Sequence, residues 1–178
     1  MAAEISCLAF LTAFFAFFLA PLLFAFLSFA FAFFSAFWAL VSCALAASQA
    51  SWRCVQSHDR EGWLALMAPD VVIEDPIGQA ITNPDGRGVR GKEAVAAFYD
   101  GNIAVNNLRV TCEETFHSSS PQEVAHILVL RSQFEGGLTS TVRGVFTYRV
   151  DDDGLITNMR GYWNMEGMQF GQAPADGE

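Results

Sequence analysis

The chain has 178 residues, a formal net charge of −9 and one lysine, Lys92. Nucleic-acid binding calls for a basic face, so this balance argues against it. The four cysteines (Cys7, Cys43, Cys54, Cys112) form no C-x-x-C pair and no histidine stands at zinc spacing, so neither a metal site nor a cofactor is expected.

Taken in chain order, residues 5–52 carry no charged side chain and are mostly Phe, Ala and Leu. That run exceeds the ~20 apolar residues a bilayer crossing needs. Three readings stand for residues 1–43. They are a membrane anchor, a cleaved signal near "LVSC" (40–43), or a misassigned start whose true position lies near Val41. An anchor would tether the protein to a membrane through residues 5–43; otherwise a cytoplasmic location is expected. A domain spanning 44–170 follows, then a polar tail, 171–178.

"ALAASQASWRCVQS" (44–57) predicts a first helix. Ser57 or Asp59 can cap a second, on which Trp63, Leu64 and Met67 form an apolar stripe. Gly91 precedes a third, "KEAVAAFYDGN", where Val95, Phe98 and Tyr99 share a face. An opening strand is expected at 71–75, and four long strand-like runs at 107–117, 122–134, 138–150 and 155–166. The turn signals "SSSPQ", "EGG" and "DDDG" separate the last four. The predicted class is α+β: a curved antiparallel sheet packed on about three helices and enclosing an apolar pocket.

The opening strand ends in "VVIEDPIG" (71–78). Side chains alternate faces along a strand, so Val71, Ile73 and Asp75 share one face and Val72 and Glu74 the other. Pro76 has no N–H and stops the pairing. Asp75 thus ends an apolar face, where desolvation raises a carboxyl pKa and suits it to act as a general base. The bland alternative is a carboxylate that caps a neighbouring loop N–H. Glu74, facing the other way, is a natural ion-pair partner for Arg160.

Other signals carry less. "GRGVRG" (86–91) matches G-x-G-x-x-G but lacks the preceding strand of a dinucleotide fold, and reads as a solvated loop. "DDDG" (151–154) lacks the spaced ligands of a calcium loop and reads as a hairpin turn. His58 and His117 fall at exposed ends, whereas His126 alternates within an apolar strand as a core or pocket-rim histidine.

"WLALMAPDVVIEDPIG", "RGKEAVAAFYD" and "GVFTYRVDDDGLITNMRGYW" together resemble the ketosteroid isomerase and SnoaL-like superfamily over about residues 44–170. The resemblance implies a cone-shaped homodimer in which each protomer holds an apolar pocket for a steroid- or polyketide-like molecule. It implies proton transfer at carbon, of isomerase, cyclase or dehydratase type, with Asp75 as base. Tyr99 matches a pocket tyrosine and Trp163 an aromatic lining position. In the isomerases a tyrosine and a protonated aspartate stabilise the dienolate. Those two positions fall here on Ser51 and Phe146, so efficient steroid isomerisation requires replacement donors. The candidates, in order, are Tyr99, Tyr148, His126 and Trp163. The alternatives are a non-catalytic module that binds a hydrophobic ligand and a dimerisation domain of the same fold. The insertion "QAITNPDGRGV" (79–89) is expected near the pocket mouth.

Overall fold

The computed structural model describes residues 43–173. The anchor, signal and start-site expectations fall on residues 1–43 and so lie almost wholly outside the described residues, as does most of the polar tail. Among the described residues, no helix is long and apolar enough to cross a membrane.

Helix α1, Cys43–Gln56, buries Ala44, Ala47, Ser48, Ser51 and Val55. These positions recur at three- and four-residue spacing and form one stripe. Helix α2, Arg60–Ala65, is capped by Asp59, whose carboxylate accepts from the Gly62 N–H at 2.8 Å. Helix α3, Lys92–Phe98, follows Gly91 (φ 80°) and runs on as a π-turn over Tyr99–Ile103.

Among the described residues, seven strands form one open, curved sheet: β1 (Met67–Glu74), β2 (Val89–Arg90), β3 (Asn106–His117), β4 (Glu123–Phe134), β5 (Leu138–Val150), β6 (Ile156–Tyr162) and β7 (Gln169–Gln172). The order is β2-β1-β6-β5-β4-β3. The first part of β5 pairs with β7 and its last part with β6, on the same edge.

The sheet is mixed, not purely antiparallel as expected, because β1 runs parallel to β6. It is also longer than expected at its start, beginning at Met67. The β1–β6 register slips between Met67 and Val72, and Pro69, which has no N–H to give the ladder, lies in that stretch. The "GRGVRG" loop is partly ordered, since Val89 and Arg90 add a short edge strand to β1. A bulge between Cys112 and Glu114 interrupts β3, and such an insertion bends a strand and increases its twist.

The helices pack on the concave face, over a core that includes Trp63, Met67, Val71, Ile73, Val95, Leu128, Phe146 and Ile156. That face is set by alternation: Leu108 and Val110 on β3, Leu128 and Leu130 on β4, and Val142, Phe146 and Tyr148 on β5 line the same cavity.

Candidate active site

The cavity holds about 330 Å³ and is walled mainly by apolar side chains. At one end, Asp75 stands just past the end of β1, next to Pro76. Val71 and Ile73 on the same face are fully buried, as the alternation requires. Glu74 faces away and takes a 2.7 Å bond from Arg160 Nε.

One Asp75 oxygen accepts from Trp163 Nε1–H at 2.5 Å. Burial among apolar walls pushes the Asp75 carboxyl above the ordinary aspartate range, and the Trp163 bond offsets this only in part. The second oxygen has no hydrogen bond within the described chain. Such a carboxylate is a stronger base than one in water, and it opens onto the cavity.

Gly161 on β6 makes this arrangement sterically feasible. A Cβ there would lie 2.6 Å from Asp75 Oδ1, 2.9 Å from Trp163 Nε1 and 3.0 Å from the Phe146 ring. The peptide after Asp75 is tied in place as well: Ile77 N–H donates to Gly161 O (3.0 Å) and Thr82 Oγ1 to Asp75 O (2.6 Å). Asn83 holds the rest of the loop. Its amide donates to Pro76 O (3.1 Å) and Gly78 O (2.8 Å) and accepts from Gly88 N–H (2.9 Å). Ile81 and Thr82 from this loop line the cavity, and Ile81 is 81% exposed, which puts the insertion at the mouth as expected.

The remaining candidates separate by position. Ser51, Phe146, Tyr148 and Trp163 all line the cavity. Tyr148 Oη accepts from Trp52 Nε1–H at 2.9 Å, and Ser51 Oγ accepts from Trp63 Nε1–H at 2.8 Å. Burial drives the Tyr148 phenol far above the usual tyrosine range, the nearby Asp75 carboxylate pushes it further, and Trp52 and Ser51 oppose the shift.

Tyr99 does not reach the cavity. It packs against Trp63 (ring centroids 5.3 Å apart), and its hydroxyl is buried without a hydrogen-bond partner among the described residues. His126 is likewise outside the cavity lining and fully buried. Its Nε2 lies 3.0 Å from Ser48 Oγ and its Nδ1 3.0 Å from Thr115 Oγ1. Burial pushes its pKa down to about 4, so the ring is neutral near pH 7. It packs edge-on against Trp52 and Tyr148.

Sequence reasoning passed over Trp52, Gly161 and Asn83. An isolated glycine in a strand does mark close approach of another group; the other two gave no signal beyond their type. Among the described residues there is no cluster of potential metal ligands.

The SnoaL-like domain family matches residues 49–159. No curated protein matches in sequence. Among solved structures, the Delta 5-3-ketosteroid isomerase from Mycobacterium sp. is 72% identical, with a TM-score of 0.73 over 74% of this chain and 100% of its own. RV0760c from Mycobacterium tuberculosis, in complex with estradiol-17beta-hemisuccinate, is 74% identical (TM-score 0.71, 72% of this chain and 99% of that one). A computationally designed 17-OHP binder is 70% identical (TM-score 0.72, 73% and 99%). With that family match over most of its length and the same curved sheet over a cavity, the chain belongs to the ketosteroid isomerase and SnoaL-like superfamily.

Proposed function

We propose that the domain binds a hydrophobic carbonyl compound of steroid-like size and moves a proton between its carbons, with Asp75 as the base. The Asp75 carboxylate takes a proton from the carbon next to the carbonyl. The C–H electron pair moves into the enolate, and the same carboxyl returns the proton to a more distant carbon of the conjugated system. No oxidant or cofactor is needed.

The observation that carries this reading is a desolvated carboxyl, fixed by one indole N–H and open on its other oxygen to an apolar cavity of about 330 Å³. The steroid class is supported by the neighbours' names: an isomerase, an estradiol hemisuccinate complex and a 17-OHP binder.

The test is turnover of 5-androstene-3,17-dione, followed by the absorbance of the conjugated product, for the full chain and for Asp75→Asn. Turnover abolished by Asp75→Asn, with ligand binding retained, is the expected result. A second reading is a ligand-binding module, favoured by Phe146 standing where the resemblance implies an acidic donor. Tight steroid binding without turnover in the unmodified protein would select it.

A homodimer is supported by Phe116, Val145 and Tyr162, which stay exposed although they are large and apolar. Val145 and Tyr162 are direct cross-strand partners. Sedimentation equilibrium at micromolar protein tests this; a monomer there would end it.

A further inference from the structure

We propose that Tyr148 donates the hydrogen bond that stabilises the substrate oxyanion, replacing the donors missing at Ser51 and Phe146. The inference rests on the proton-transfer reading above and names a second catalytic residue for it.

A hydroxyl has one proton to give and two lone pairs to fill, and an indole N–H can only donate. Trp63 therefore donates to Ser51, at 2.8 Å. Ser51 is thus held by Trp63 and lines the cavity together with Tyr148. The Tyr148 oxygen accepts from Trp52 at 2.9 Å, and its own proton has no acceptor within hydrogen-bond distance among the described residues. Tyr148 forms part of the cavity wall, so the proton is available to a bound carbonyl.

Hydrogen bonds received by a donor's oxygen polarise its O–H and strengthen the bond it gives. Trp52 thus acts through the Tyr148 oxygen on the Tyr148 proton. Burial also keeps the phenol protonated across the working pH range.

The location fits as well. Phe146 pairs with Gly161, the residue against which the Asp75 carboxyl rests, and Tyr148 pairs with Met159 on the same two strands. Tyr148 is two residues along β5 from Phe146, about 7 Å, and on the same face.

The other candidates are committed elsewhere or absent from the cavity. The Trp163 N–H is used on Asp75, both His126 nitrogens are engaged in the core, and Tyr99 packs against Trp63.

The experiment uses the full chain with Tyr148→Phe, Trp52→Phe and Asp75→Asn. With 5-androstene-3,17-dione, Tyr148→Phe should lower kcat about 10²–10³-fold with KM within about threefold. It should also leave the acid limb of the pH–rate profile, which reports Asp75, in place. Trp52→Phe should lower kcat by roughly tenfold, as expected if it only polarises the donor. A second readout does not need turnover: Tyr148→Phe should weaken 2-naphthol binding at least tenfold and leave naphthalene binding unchanged. Near-normal kcat and unchanged 2-naphthol binding in Tyr148→Phe, with Asp75→Asn inactive, would overturn the donor assignment and leave the base intact. An active Asp75→Asn would overturn the proton-transfer reading instead.

Discussion

Burial of the Asp75 carboxyl costs the fold stability near neutral pH. The carboxyl pKa is raised by burial, so the native state holds the proton more tightly than the unfolded chain. The resulting stability is fully present below the ordinary aspartate pKa and is lost as pH rises through the raised one. Asn cannot ionise yet still accepts from Trp163. Asp75→Asn should therefore melt at a higher temperature than the unmodified protein at about pH 7.5, with the gap closing at about pH 4; scanning calorimetry at both values checks it. His126 acts with the opposite sign. Its pKa is pushed down to about 4, so its contribution is present above the ordinary histidine value and lost as pH falls toward 4. His126→Gln should flatten the acid side of the stability profile between about pH 6.5 and 4. Gly161→Ala tests the steric side of the same site. Its methyl would meet Asp75 Oδ1 at 2.6 Å, so relief must move the carboxyl or Trp163. Overpacking of this kind costs about 1–3 kcal/mol. The melting temperature should fall modestly and kcat steeply, whereas a purely structural role would leave kcat in the surviving folded fraction unchanged.

At the scale of elements, the segment from Pro76 to Gly88 is organised by one buried side chain. Asn83 ties Pro76, Gly78 and Gly88 together through three hydrogen bonds. Removing a buried amide that satisfies several backbone groups costs about 1–3 kcal/mol. Asn83→Ala should speed hydrogen exchange at the Gly88 amide and raise KM, because Ile81 and Thr82 are carried by this loop, while exchange in β4 and β5 stays slow. None of this was legible beforehand: the stretch read only as an insertion near the mouth, and a polar hub gives no periodic signal. The long strands were legible because β3, β4 and β5 are joined by short turns and alternate strongly. The parallel pairing of β1 with β6 was not, since Glu74 and Arg160 meet across 86 positions and nothing local fixes direction. Asp75 could be found from strand parity and a following proline. The orientation of Tyr99 could not, because the turn after α3 is a π-turn and carries the side chain against Trp63.

For the whole molecule, the question is where the folding unit begins. The described core cluster runs from Ala44 to Met159 and holds the large buried side chains that close the concave face. Helix α1 belongs to that unit. The Ala44 N–H donates to Pro121 O at 3.2 Å, Ser48 meets His126, and Trp52 Nε1–H donates to Tyr148 Oη at 2.9 Å. Packing thus places α1 in the same compact unit as the sheet. A fragment beginning at Ser42 should therefore melt cooperatively in plain aqueous buffer. One beginning at Ser48 discards the buried methyls of Ala44 and Ala47, about 0.8 kcal/mol each, and the tie to Pro121, about 1 kcal/mol. The sum, roughly 2–3 kcal/mol, is a sizeable part of the 5–15 kcal/mol typical of a domain and corresponds to a fall of about 10 °C. Circular-dichroism melts of the two fragments give the comparison. Equal melting temperatures would mean that the first turn of α1 is not part of the core. An aggregating or non-cooperative 42–178 fragment would mean that the residues before Ser42 help to fold the domain.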